Sequence, residues 1–275
     1  MVSVVLWASA FVAIRDVRGH LSAGSLALVR LLVGACALGV VMLARRESLP
    51  ARRVLPLIAL SGLLWFALYN VALNQAEHSL DAGTSSMLVN LGPIGIAVLA
   101  GWALHEGFPP RLAVGCAVGV AGAVVIGLST GGHHSRDVTG VLLCVVAAAA
   151  YAGGVVAQKP ALRTASALQV TFTACAVGAI ACLPFAPQLA GQLQHAPGSA
   201  IAAAVYLGLF PTAVGFLTWA YALARTDAGR LGVTTYLVPP MVVVLAWVWL
   251  GEHPPPAAFA GGCLCLAAVA IVRSR

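Results

Sequence analysis

The polar side chains that interrupt this apolar chain suit recognition of a solute better than bond breaking. Arg30 sits inside the run "LALVRLL". A charge at membrane depth costs roughly 2.5–3.5 kcal/mol on insertion scales, so it needs a partner. Two roles fit: attracting an anionic group of a solute, or pairing structurally with Glu77, Asp81 or a freed backbone carbonyl. Asn70 and Asn74 lie four residues apart, on one helical face, with Tyr69 beside them. Asn90 lies just before Pro93, and Thr234, Thr235 and Tyr236 precede Pro239-Pro240. Trp219 and Tyr221 occupy the comparable part of a later apolar run. Together with Arg30, Asn70, Asn74, Asn90, Pro93, Trp219, Tyr221, Thr235, Tyr236 and Pro239 could line a cavity for a mixed polar and apolar metabolite. The alternative for each Asn and Thr is a hydrogen bond between helices, worth roughly 0.6–2 kcal/mol. Trp7 and Tyr151 fit interfacial aromatic belts.

Two phrases explain why those prolines matter. "HSLDAGTSSMLVNLGP" (78–93) and "ARTDAGRLGVTTYLVPP" (224–240) share Asp-Ala-Gly, and each has a proline twelve residues after its Asp. Twelve residues of helix rise about 18 Å, so an Asp at the membrane surface puts its proline near the midplane. Asp81 and Asp227 suit helix N-caps. Each proline removes one helical hydrogen bond and frees carbonyls such as that of Val89. Broken backbone at membrane depth is tolerated only inside protein or beside a wet cavity.

The phrases belong to a longer duplication. Residues 76–126 align on 222–272 without a gap, and the matches include Asp81, Gly83, Pro93, Glu106, Pro109 and Pro110. Apolar bias alone cannot produce matching Asp, Glu and Pro. Earlier segments echo at a shift of 144, where Trp7-Ala8 meets Tyr151-Ala152. Glu106 and Glu252, each followed by a Pro-Pro pair, read as turn and capping devices. Gly115, Gly119 and Ala123 form a small-residue stripe, echoed by Gly261 and Cys265. It suits close packing within the fold or between protomers of a homodimer.

These features require apolar helices to carry them. The 275 residues are 61% hydrophobic and 8% charged, with mean hydropathy +0.97. Soluble domains carry about 25% charged residues, so the solvent here is lipid. Ten spans are expected near 1–15, 24–44, 54–75, 81–104, 111–129, 138–158, 167–186, 199–224, 229–250 and 256–273. The first is short, so it either thins the bilayer or has its true start upstream of Met1. With the N-terminus inside, the inner segments hold Arg45, Arg46, Arg52, Arg53, Arg111, Lys159, Arg163, Arg225, Arg230, Arg273 and Arg275. The outer loops hold only Arg15, Arg18 and Arg136. That bias puts both termini in the cytoplasm. It also accounts for the net charge of +7 without nucleic acid. The expected architecture is an all-α polytopic membrane protein. Two five-helix repeats, residues 1–130 and 138–273, insert with opposite orientation because five is odd.

No HExxH or GxxxxGK[ST] occurs, and no His falls within a span, so an intramembrane enzyme ranks low and no cofactor is expected. The seven cysteines form no CxxC pair and read as packing residues, and His133-His134 in a Gly-rich loop reads as solvated, so no metal is expected.

The stretches "LWASAFVAIRDV…LALVRLL" and "LYNVALNQAEHSLDAGTSSMLVNLGPIGIAVLAGWALHEGFPPRLAVGCAVGVAGAVVI", with its echo, resemble the EamA-type branch of the drug/metabolite transporter superfamily. The resemblance implies a ten-helix inverted-repeat fold in the cytoplasmic membrane that moves amino acids, other metabolites or drugs by alternating access. The expected function is secondary transport, with export favoured. The rival readings are a non-transporting assembly partner in the membrane and, less favoured, an enzyme. Expected partners are the bilayer and a small-molecule solute.

Overall fold

The computed structural model describes residues 1–17, 19–80, 82–130, 138–250 and 255–273. Every regular element among them is helical. The helices are α1 (Val2–Val17), α2 (Ala23–Ala44), α3 (Arg52–Ala76), α4 (Ala82–Val89), α5 (Gly92–Ala103), α6 (Pro110–Thr130), α7 (Val138–Ala161), α8 (Ala167–Ala181), α9 (Ala186–Leu193), α10 (Gly198–Leu223), α11 (Ala228–Val233), α12 (Val238–Leu250) and α13 (Pro256–Arg273). Six described segments are long and apolar enough to cross a membrane, or seven if the α8–α9 pair, bent by 49°, counts as one. Three shorter apolar helices, Val2–Ile14, Pro110–Ile126 and Pro256–Val272, fall below that length. The protein is therefore a multi-pass helical membrane protein. Asp81 and Glu252, expected as helix caps, lie outside the described residues.

Helix starts follow local chemistry. Ser22 accepts the Ser25 amide at 3.3 Å to cap α2. Ser166 and Gln169 form a reciprocal capping box at α8. The short first helix is tied to α10 by three polar contacts: Ser3 Oγ to Thr218 Oγ1 (2.8 Å), Ser9 Oγ to Tyr206 Oη (2.7 Å), and Trp7 Nε1 donating to the Pro211 carbonyl (3.2 Å). Those bonds hold it in the bundle despite its limited length.

Four interruptions shape the interior. The chain breaks after α4 at Asn90 and Leu91, and α11 passes through a 3-10 stretch, Thr234–Leu237, into α12. Pro93 and Pro239 do not kink continuous helices. Each sits in the first turn of the helix that follows, where a missing N–H costs nothing. The other two interruptions are π-helical: Gly62–Leu68 in α3 and Gly208–Val214 in α10, again 146 residues apart. Each begins with a glycine against another backbone. A Cβ on Gly62 would meet the Ala174 carbonyl at 2.6 Å, and one on Gly208 would meet the Arg30 carbonyl at 2.9 Å.

The small-residue stripe of α6 packs within the fold, against α13. A Cβ on Gly115 would sit 2.2 Å from Val272, and beside the stripe a Cβ on Gly122 would sit 2.7 Å from the Gly261 carbonyl. Close approach of this kind replaces the hydrophobic drive that lipid cannot supply. Gly122→Leu should therefore destabilise the α6–α13 pair by about 1–3 kcal/mol or more. Thermal unfolding in detergent checks this, and an unchanged midpoint would contradict the packing.

Candidate functional site

The interruptions surround one cavity. It is lined by Trp7, Ala10, Phe11 and Ile14 of α1, Arg30 of α2, Trp65, Tyr69 and Leu73 of α3, Val89 and Asn90 at the first break, Tyr151 of α7, Phe216 of α10, and Thr235 and Val238 at the second break. The cavity's volume is about 50 Å³, or about 600 Å³ when counted to its open mouth. The smaller figure corresponds to room for a few waters or a slim solute.

One flank is aromatic. The Trp7 and Trp65 rings stand 5.8 Å apart, Trp65 and Phe216 4.7 Å, and Trp65 and Tyr151 5.2 Å. Trp219 backs this box, 5.0 Å from Trp7 and 5.9 Å from Trp65. Phe66 adds a ring 4.4 Å from Phe216. Such edge and tilted contacts are worth about 0.5–1.5 kcal/mol each beyond area burial, so the box is preformed. A glycine makes room for it: a Cβ on Gly92 would lie 2.4 Å from the Tyr151 ring. The interfacial-belt expectation for Trp7 and Tyr151 is therefore corrected. Both face the interior because α1 and α7 present them to the same broken spans.

The other flank is polar. Arg30 is 4% exposed, and its Nη1 donates to Asn74 Oδ1 at 3.5 Å. Asn74 also donates to the Ala23 carbonyl at 3.1 Å, so it stitches α3 to α2 and holds the guanidinium from behind. The buried Glu77 carboxylate attracts the same cation. Arg30 Nε makes no hydrogen bond, nor do the buried Tyr151 Oη, Trp219 Nε1 and Asn90 Oδ1. Buried polar atoms normally find partners, and in lipid each orphan costs several kcal/mol. Three of these atoms, on Arg30, Tyr151 and Asn90, belong to the cavity lining and mark a place for water or a polar solute.

The sequence-derived candidates divide. Arg30, Asn90 and Thr235 line the cavity, Asn74 braces Arg30, and Trp219 backs the rings. Asn70 serves the π stretch instead. Its Nδ2 donates to the Phe66 carbonyl at 2.8 Å and the Trp65 carbonyl at 3.4 Å, both within the wide turn. Thr212 does the same in α10, donating to the Leu207 carbonyl at 2.8 Å. Tyr236 is fully buried against Gly119, where a Cβ would lie 2.4 Å from its ring. Pro93 and Pro239 are buried outside the lining. Tyr221 points away: it is 56% exposed, under the Arg225 guanidinium at 3.6 Å. Trp65 and Phe216 were missed. Their convergence is tertiary, and only the Trp7–Tyr151 echo carried a signal for the box.

Two expected caps also change. Asp227 stands at the start of α11, but its side chain makes no capping bond and lies 3.5 Å from Arg230. Glu106 takes the capping role from across the molecule, accepting the Ala228 and Gly229 amides at 3.0 and 3.3 Å. Among the described residues no cluster of His, Cys, Asp and Glu forms a metal site.

The chain matches the model of the EamA-like transporter family twice, over residues 1–128 and 138–274. It is 39% identical, over 100% of its length and 92% of the relative's, to a Streptantibioticus cattleyicolor protein named "Probable terminal-alkyne amino-acid exporter". It is 32% identical to the "Uncharacterized transporter YdfC" of Bacillus subtilis, covering 96% of this chain and 86% of that one. A solved crystal structure superposes with a TM-score of 0.78 over 99% of this chain and 94% of the other, at 22% identity, so the fold is shared.

The hydrogen bonds of Asn70 separate bracing from lining. Asn70→Ala should lower stability by about 1–3 kcal/mol, because it removes buried hydrogen bonds. Unfolding in detergent measures the loss, and wild-type stability would contradict the bracing role.

Proposed function

The chain belongs to the EamA-like transporter family, and from that premise we propose that it exports a slim, carboxylate-bearing organic solute through the cavity beside Arg30. It is a multi-pass membrane transporter and not an enzyme. The observation that carries the substrate reading is the division of the cavity into two flanks. Arg30, with Nε free, supplies a charge-assisted donor for a carboxylate. Across the void, Trp7, Trp65, Tyr151 and Phe216 supply an apolar wall for a narrow tail. Asn90 Oδ1 is an unused acceptor suited to an ammonium or hydroxyl group. An amino acid with a thin, unbranched apolar side chain meets all three requirements, and the name of the Streptantibioticus relative fits that class.

The mechanism is alternating access across two inverted five-helix repeats, residues 1–130 and 138–273, ten spans in all. Seven candidate spans and three shorter apolar helices sum to that count. The matching π stretches and matching breaks, 146 residues apart, support the duplication. Cross-molecule bonds support the topology. Glu106 meets Ala228, and Ser166 meets Glu47, as expected if residues 47, 106, 166 and 228 share the cytoplasmic face. Ser22 donates its amide to Gln192 Oε1 at 3.1 Å on the opposite face. The proposed setting is the plasma membrane with both termini inside.

Proteoliposomes loaded with a panel of amino acids, other metabolites and cationic drugs test the proposal. Short carboxylate-bearing amino acids should move and bulky cationic drugs should not. Arg30→Ala should lower kcat/KM for the transported solute about tenfold or more at unchanged protein content, as expected for the loss of one charge-assisted bond. A folded protein that moves nothing, or one whose transport is indifferent to Arg30, would contradict it.

A further inference from the structure

Beyond one end of the cavity lie contacts that do not touch it. α5 and α11 pack side by side, with Gly229 3.5 Å from Ala97 Cα and Gly232 3.3 Å from Ile96, each distance measured from an added Cβ. Glu106 binds the first amides of α11 just beyond this contact. Its position follows from the chain before it. His105 adopts a left-handed conformation, φ 58°, and the Glu106 amide bonds back to the Ala100 carbonyl at 3.3 Å. That turn ends the helix and sends the carboxylate toward α11. The segment before α11 is held from the other side. Lys159 Nζ donates to the Leu223 and Thr226 carbonyls at 2.6 and 2.7 Å. A cation therefore meets the carboxyl end of α10 and an anion meets the amino end of α11, each the sign that the helix dipole favours.

A shallow dimple lies outside this contact, lined by Ala97, Glu106, Leu112 and Gly229 among others. The cavity lies inside it, beginning at Asn90. Seven residues separate Ala97 from Asn90, or about 10 Å of helix. The rest of the cavity lining, at Ile14, Arg30 and Leu73, lies toward the opposite end of the bundle, where α1 and α3 finish and α2 begins. The α5–α11 contact thus lies between the cavity and the Glu106 face.

We infer that Glu106 is a positioning residue of the transport cycle: its carboxylate clamps α11 against α5, and release of that clamp opens the cavity toward the Glu106 face. The inference rests on the alternating-access reading. It gives Glu106 a role that a turn device lacks, because its two bonds cross from one broken span to the other. Opening must exchange both bonds for water. Asp227, in the capping position by sequence, contributes nothing to the clamp.

The test is thiol labelling of Ile96→Cys, beneath the clamp, in membrane vesicles of known orientation. A membrane-impermeant maleimide is added from the Glu106 face. The native cysteines are accounted for by a control without the introduced one. Labelling of I96C should be slow, and it should rise about tenfold or more when Glu106→Ala is added. Glu106→Gln, which keeps an acceptor oxygen, should give an intermediate rate and serves if the alanine variant fails to accumulate. Asp227→Ala should leave the rate unchanged. Labelling unaffected by both Glu106 variants would overturn the inference, as would an equal rise in Asp227→Ala. Labelling needs no solute, so the result stands apart from any failure of the transport reading, which the proteoliposome panel reports.

Discussion

In hydrocarbon a backbone amide or carbonyl has no water to fall back on, and this constraint organises the whole molecule. Continuous helices meet it automatically. This chain departs from continuity at Gly62–Leu68, at Asn90, at Gly208–Val214 and at Thr234–Leu237. Each departure is repaired by a nearby side chain. Asn70 and Thr212 serve the π stretches, Asn90 returns a 2.6 Å bond to the Ser86 carbonyl, and Thr235 bonds the Gly232 carbonyl at 2.8 Å. Asn70, Asn90, Thr212 and Thr235 are thus explained as repairs.

What the repairs leave over is informative. Among the buried side-chain atoms without a hydrogen bond, Arg30 Nε, Tyr151 Oη and Asn90 Oδ1 belong to residues that line the cavity. The void exists because the breaks splay the spans, and the rings of α1, α3, α7 and α10 fill only one side of it. The pocket is asymmetric, polar toward α2 and aromatic toward α10.

The helices were legible because apolar runs of span length admit little else. The breaks were legible at Pro93 and Pro239, since proline acts locally on its own turn. Their geometry was not: each proline opens a helix instead of bending one. The π stretches left no local mark, because Gly62 and Gly208 are two among 29 glycines. Capping by Asp227 was the local expectation, and a carboxylate 121 residues earlier in the chain won the amides instead. Long-range pairings of this kind, like the meeting of Trp65 with Phe216, depend on which helices touch. The register of a single span does not encode that.

The central claim is that the transported solute occupies the void at the two breaks. Thiol reactivity of Thr235→Cys, followed with and without solute, tests it most directly. The account predicts that a solute which the protein transports slows the labelling in proportion to its occupancy, while one it does not transport leaves the rate unchanged. Labelling at position 235 that is indifferent to a transported solute would contradict it.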